Sequence, residues 1–371
     1  MSRVAVLYNV DFEERREDAD AGFLARADVA SAAAAVCESL RAARHEAHLV
    51  PIDGDLQRAR DVLEELAPDC AFNLCESLAG DARLESAVPI LLEWMGLPYT
   101  GSPPDALCAA LYKDRVKERL ARAGVPTPPS CVMRSGGDRF ELAFPVIVKP
   151  TREDGSVGID AESVVHDEPT LRERVAERVA RHAQPVLVER FVDGRELNVA
   201  LFGFPNARVL PLQEIDFEAL PAGAPRIVTY DAKWRAGSAD DLGTRPVLHT
   251  GDRTASLPSA VAARVRRVAA LAFAAVGVRD YGRVDVRLDA SGAPHVVDVN
   301  PNCDLSPAAG LARAASAVGL DHTALVRLLV RYALKRRGSV TARPERPAPL
   351  PRPSSTPDPG ASAPRSRAER G

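Results

Sequence analysis

Lysine is scarce in this chain. Only five of its 48 basic residues are Lys (Lys113, Lys117, Lys149, Lys233 and Lys335), and Arg serves elsewhere. A GC-rich genome explains the bias but not which positions keep Lys. A compact ammonium on a thin stem does what the broad guanidinium cannot where a point charge must reach a phosphate. Each surviving Lys is therefore a candidate site residue.

Other absences narrow the function. No run approaches the ~20 apolar residues that span a bilayer, so no membrane helix is expected. The six cysteines (Cys37, Cys70, Cys75, Cys108, Cys131 and Cys303) form no CxxC and no paired metal spacing. That pattern fits a reduced, cytoplasmic protein. Lys and Arg do not outnumber Asp and Glu (48 against 51, net charge −3), so nucleic acid is not an expected partner. The opening MSRVAVLYNV alternates, lacks a small-residue cleavage site, and reads as a first strand.

What is present is an α/β chain of 371 residues, long enough for two or three domains of ~100–200 residues each. Strands at Val4–Asn9, His48–Ile52 and Cys70–Leu74 alternate with helices at Ser31–Arg44, Leu56–Leu66 and Glu85–Met95. Such alternation predicts a parallel sheet covered on both faces. Turn-rich Tyr99–Pro104 ends this segment (1–104). A second segment, 105–192, holds one helix over Ala106–Ala123, strands at Val146–Lys149 and Pro185–Phe191, and a charged helix, Glu168–Ala183. The third, 193–337, has strands at Glu196–Phe202 and Val209–Leu212, then an irregular stretch over 215–255. A connection that long reads as a lid or binding loop, with disorder the alternative. Helix Leu257–Val276 follows, then strands Tyr281–Leu288 and Pro294–Asn300 joined by the turn Asp289–Gly292. Helices Pro307–Val318 and His322–Arg336 close the fold. The Pro-, Ser- and Arg-rich residues 338–371 have too few apolar side chains to offset ordering entropy and are expected to be disordered.

Chemistry concentrates in three places. Arg283 and Asp285 lie two apart on one strand, as do Asp298 and Asn300 on the next, so each pair shares a sheet face. An oxygen-only donor set suits a hard cation such as Mg²⁺, whereas a solvated hairpin face is the plain alternative. Lys149 ends a strand and opens a loop bearing Gly155, Ser156 and Gly158, a possible phosphate cradle without the Walker pattern. The apolar strand at 186–192 runs into a turn and Glu196, which could meet a purine and a ribose or simply be strand and surface.

Together these segments resemble the ATP-grasp enzymes, and within them the D-alanine–D-alanine ligase family. The resemblance spans residues 1–336. It rests on Phe72-Asn73-Leu74, Gly96–Ser102, Gly124–Pro129, Pro145–Pro150, Tyr230-Asp231-Ala232-Lys233, Gly282–Val286 and Asp298-Val299-Asn300. It implies three α/β domains, with ATP held between the central and C-terminal ones. It implies that Lys113 and Lys149 hold phosphates, that Lys233 reaches the terminal phosphate, and that Gly155 and Ser156 lie in the phosphate loop. Glu189 with Phe191 and Val192 would meet adenine, and Glu196 the ribose. Asp285, Asp298 and Asn300 would bind two Mg²⁺ (or Mn²⁺) ions, Asp298 standing where the family usually has Glu. Arg283 would stabilise charge at the reacting acyl centre. The implied reaction joins a carboxylate to an amine through an acyl phosphate, and the implied assembly is a homodimer.

The amino-acid end departs from the family pattern. Arg26 falls where an ammonium-binding Glu is expected, Gly155 where its partner Ser is, and Trp234 where the lid Tyr is. Glu76 replaces a His, and Asp304 stands where a glycine N–H is expected. Either Glu76 or an acidic residue of 11–20 takes over the ammonium, or the same ATP chemistry joins other small partners. A third alternative is an ATP-binding protein without turnover.

Overall fold

The computed structural model describes residues 1–10, 23–250 and 257–336. The first segment alternates as its sequence predicts: β1 (Arg3–Asn9), α1 (Phe23–Ala42), β2 (Glu46–Ile52), α2 (Leu56–Leu66), β3 (Cys70–Asn73) and α3 (Ala87–Met95). The strands form a parallel sheet in the order β2-β1-β3. β1 is apolar throughout its centre because both faces are covered. Val4 and Val6 pack with Val36 and Leu40 of α1, while Ala5 and Leu7 pack with Leu63 of α2 and Leu92 of α3.

The helix expected over Ala106–Ala123 is in fact two, α4 (Pro104–Leu111) and α5 (Lys113–Arg122). They part at Tyr112, whose backbone is extended (φ −99°, ψ 101°). No Gly or Pro marks the break; tertiary contacts hold it. The Lys113 N–H donates to the Thr151 carbonyl at 3.1 Å, and the Arg152 guanidinium lies 6.0 Å over the Tyr112 ring, with the nearby Arg115 at 4.1 Å. The break places Lys113 at the first position of α5, buried beside the phosphate-loop candidate.

The central sheet comprises β4 (Ser130–Met133), β5 (Val146–Pro150), β6 (Val164–Val165) and, after α6 (Glu168–His182), β7 (Val186–Arg190). Its order is β4-β7-β5-β6, all antiparallel. Leu171 and Val175 of α6 cover Val146, Val148, Val186 and Val188.

The third sheet begins with β8 (Arg195–Gly203), β9 (Arg208–Val209) and β10 (Gln213–Asp216). The stretch expected to be irregular carries α7 (Tyr230–Trp234), α8 (Ala239–Gly243) and β11 (Arg245–Leu248). β10 is Gln-Glu-Ile-Asp and β11 is Arg-Pro-Val-Leu, so neither four-residue strand shows the apolar alternation that marks strands in sequence; pairing with neighbours creates them. After α9 (Ser259–Val276), β12 (Asp280–Leu288) and β13 (Pro294–Asn300) form the expected hairpin. The order is β11-β10-β8-β12-β13, with β9 on β8. One face is closed by α9: Val265, Ala269, Ala272 and Val276 pack on Leu197, Val199, Val284, Val286 and Val296. The polar alternate positions are thereby turned to the other face. Finally α10 (Gly310–Ser316) and α11 (His322–Arg336) return to the first sheet, where Leu325, Val326, Leu329 and Val330 join Val4 and Val6.

Candidate active site

The open face of the third sheet floors a cleft of about 800 Å³. Strand register decides what stands there. Asp285 pairs with Asp298 on one side and Asn198 on the other; Arg283 pairs with Asn300, and Arg287 with Glu196. The β12–β13 ladder skips Val297, a bulge that keeps Asp298 level with Asp285. Two carboxylates and an amide thus meet on one face. Among the described residues no three His, Cys, Asp or Glu side chains are grouped as a metal site by themselves. The donor set with Asn300 is all oxygen, which fits a hard cation that shares its coordination with phosphate oxygens. Asp285 is held by Arg283 (Nε–Oδ1 2.7 Å, Nη2–Oδ2 2.9 Å) and accepts from Asn198 Nδ2 at 2.9 Å. Asn300 Oδ1 accepts from the Asn302 N–H at 2.9 Å.

Cations face this floor from the central segment. Lys113 Nζ is 3.5 Å from Asp154 and 3.8 Å from Asp298. Burial opposes its charge, but Asp298 and Asp154 outweigh burial and hold its pKa above the ordinary value. Burial likewise penalises the Asp298 carboxylate, yet Lys113, Lys149 and Arg283 pull its pKa below the usual range. Lys149 Nζ lies 3.3 Å from Glu189 and 3.4 Å from the Val297 carbonyl. Lys233 opens into the same cleft from α7; desolvation by the surrounding protein, and then the Arg283 guanidinium, lower its pKa.

The resemblance implies a purine contact for Glu189, and the structure gives it ion pairs. Its carboxylate is buried and pairs with Lys117 as well as Lys149. Lys117 escaped the assignment of roles by resemblance, although the scarcity of Lys singled it out. Ile147, Phe191, Val192, Ile215 and Ile227 line an apolar slot beside this cluster, and Glu196 stands at its edge, its carboxyl pushed up by burial despite Arg287.

The phosphate-loop candidate is tied to the helix that carries Lys233. Ser156 (φ +63°) donates through Oγ to the Val228 carbonyl at 2.9 Å, and Trp234 Nε1 donates to the Gly155 carbonyl at 2.8 Å. The indole thus links the two positions where the resemblance expects the Ser and the lid Tyr.

Glu76 and Asp304 both line the far end of the cleft. Asp304 is fixed by Ser306, whose N–H and Oγ donate at 2.7 and 2.9 Å. The side chain of Arg26 and all of 11–20 lie outside the described residues, as do 251–256 and 338–371. Glu85 also lines this end and was missed by sequence reasoning, because a Glu beside a helix start looks like ordinary surface. It accepts from Asn302 Nδ2 at 2.9 Å, and Asn302 is itself held by the Tyr281 hydroxyl at 2.8 Å and the Cys75 carbonyl at 3.0 Å. Burial, reinforced by Asp154, pushes the Glu85 carboxyl up to about 8. The folded state therefore holds a proton that the unfolded chain releases near 4.5. Glu85 thus favours folding below that value, and its contribution is lost as pH rises through about 8. Glu85→Gln should match the wild-type melting temperature near pH 5 and exceed it at pH 8.5. A constant difference across that range contradicts the assignment.

Residues 134–331 match the family model described as the D-Ala–D-Ala ligase C-terminus. The D-alanine–D-alanine ligase of Desulforudis audaxviator is 33% identical over 308 residues, 81% of this chain and 92% of that protein. The chain belongs to the D-alanine–D-alanine ligase family. As a member it is an ATP-dependent ligase of ATP-grasp fold, a class that forms carbon–nitrogen bonds. Another relative in this range, the uncharacterized protein y4sG of Sinorhizobium fredii, is 37% identical over 268 residues, 71% of this chain and 74% of that protein. The crystal structure of the Bacillus anthracis D-alanine–D-alanine ligase complexed with ATP superposes with a TM-score of 0.69 at 19% identity, covering 91% of this chain and 99% of that one. That likeness is one of fold. No helix among the described residues is long and apolar enough to cross a membrane.

Proposed function

We propose that this ligase activates an amino-acid carboxylate with ATP and passes the acyl group to an amine, with D-alanine the first substrate to try in both roles. The observation that carries the reading is the set of Lys113, Lys149 and Lys233 around one cleft with Asp285, Asp298 and Asn300. Three ammonium groups lining one cleft beside an all-oxygen donor set suit a polyphosphate together with a hard cation.

The apolar slot beside Phe191 and Val192 takes the purine, and Lys113 and Lys149 hold phosphates. Asp285, Asp298 and Asn300 would hold magnesium, which when bound offsets the charge of the phosphate oxygens. A substrate carboxylate oxygen attacks the γ-phosphorus; the new P–O bond forms as the bond to ADP breaks. Lys233 balances charge on the moving phosphoryl group. The amine nitrogen then attacks the acyl carbon, phosphate leaves, and the amide forms with loss of the ammonium proton. Arg283 stabilises the oxyanion of that step. The Trp234–Gly155 link keeps the lid shut against hydrolysis of the acyl phosphate.

The test is release of inorganic phosphate from ATP with single and paired amino acids. Turnover with D-alanine alone supports the reading; turnover only with an unlike pair moves the substrates; none with any pair favours an ATP-binding protein without turnover. One observation favours an amine acceptor that bears no carboxylate: Asp304 adds a carboxylate to the cleft lining, while Glu85, held protonated by burial, adds no cation to receive one. Glu76 is the proposed ammonium anchor, so Glu76→Gln should raise KM for the amino acid about tenfold or more, the size of a hydrogen bond to a charged group, with kcat little changed. An unaltered KM removes Glu76 from that role. The proposal includes a homodimer and a reducing, cytoplasmic setting, the latter supported by six free cysteines of which Cys37, Cys70, Cys75 and Cys303 are buried.

A further inference from the structure

One side chain of the cleft floor has no role in the reading above. Arg287 stands two residues beyond Asp285 on β12, on the same sheet face, and is only 5% exposed. Its Nε donates to the Val192 carbonyl at 2.7 Å. Its Nη1 donates to the Glu196 carboxylate at 2.7 Å and to the Arg226 carbonyl at 2.8 Å. Its Nη2 donates to the Gly194 carbonyl at 3.1 Å, and its guanidinium carbon lies 5.1 Å from the centre of the Phe191 ring. One planar fork therefore fastens the β7–β8 connection, the first part of β8 and the segment before α7 to the strand that carries Asp285.

A buried guanidinium is costly unless its donors are met, and here one fork meets four acceptors on three chain segments. Lys has the charge but not the fork, and an aliphatic side chain has neither. The bond to Val192 also decides what that residue can offer a base. Its carbonyl is committed, while among the described residues nothing accepts from its N–H. A lone N–H donor complements N1 of adenine, an acceptor, and opposes N1–H of guanine, a donor.

We propose that Arg287 is a positioning residue for the nucleotide, one that fixes the Val192 main chain and the Glu196 carboxylate so that the cleft selects adenine over guanine. The proposal rests on the reading that this cleft takes ATP. Arg287 touches none of the reacting atoms, so its loss should weaken binding of the nucleotide and spare the chemical step.

The experiment uses the full chain, without amino-acid substrates, and titrates the magnesium complexes of the non-hydrolysable β,γ-imido analogues of ATP and GTP by calorimetry. Wild type should prefer the adenine analogue. Arg287→Met should weaken it tenfold or more while leaving the guanine analogue nearly unchanged, so that the preference collapses. Arg287→Lys, which keeps the charge and most of the volume, should lose the preference as well, and it serves if the Met variant does not fold. In turnover, KM for ATP should rise with kcat at saturating ATP within about threefold. A variant that melts lower yet keeps both affinity and preference shows a merely structural role and overturns the proposal, as does a fall in kcat with KM unmoved. Absence of heat from wild type with either analogue sinks the ATP reading itself, a result distinguishable from loss of preference in the variants.

Discussion

Lys149→Met should lower ADP release about 100-fold or more while leaving the fold in place. The magnitude is that of one preorganised charge or donor removed from a site where negative charge is being transferred. The expectation of an intact fold comes from the neighbours. Lys149 is buried at 6% exposure, and its ammonium lies 3.3 Å from Glu189. Removing it leaves no orphaned carboxylate, because Glu189 still pairs with Lys117. Methionine keeps most of the buried stem, so no large cavity opens. Steady-state ADP release and a thermal melt measure both halves. Undiminished turnover would falsify the phosphate role, and a large fall in melting temperature would show that the ammonium is chiefly a structural counter-ion.

The opposite change should act on stability first. Glu189→Gln leaves Lys117 and Lys149 facing each other in a buried site, with the nearest negative charge removed. Breaking a buried pair by taking one partner costs about 3–5 kcal/mol, since the remaining charge is neither solvated nor paired. A loss of that size lowers melting by on the order of 5 °C or more. The deficit should depend on pH. Burial already holds the Lys117 pKa below its ordinary 10.5, with Glu189 as the main force resisting. Without Glu189 the folded state binds still fewer protons than the unfolded chain, so stability rises with pH across the window between the two pKa values. The gap between wild type and variant should therefore narrow from pH 7 towards 10. Equal melting temperatures at neutral pH would mean that the lysines shed their charge at no cost, and the ion cluster would then not be a mainstay of the fold.

β1 through α3 were legible because each element carries its own signal: an apolar strand run, a capped amphipathic helix, a turn between them. The β12–β13 hairpin was legible for the same reason, and its period of two already assigned Arg283, Asp285, Asp298 and Asn300 to shared faces. By contrast, no Gly or Pro announces the break at Tyr112; the Thr151 carbonyl, 39 positions away, takes the Lys113 N–H, and the Arg152 guanidinium lies over the Tyr112 ring. β10 and β11 were invisible because four residues, Gln-Glu-Ile-Asp or Arg-Pro-Val-Leu, are too few to show a period of their own. Glu85, Lys117 and Arg287 escaped assignment in the sequence because charged residues outside a known motif look alike until burial separates them.

The amino-acid order alone determined the class of fold, the family resemblance and the few lysines worth watching, because periodicity, turn chemistry and residue scarcity are written along the chain. Partnership came only with folding. That Glu189 answers two lysines, that Trp234 reaches Gly155, and that Arg287 grips four acceptors depend on which strands lie side by side and which face a helix covers. Such pairings join residues 40 to 95 positions apart, and their energies depend on exclusion of water that no local stretch of sequence can impose.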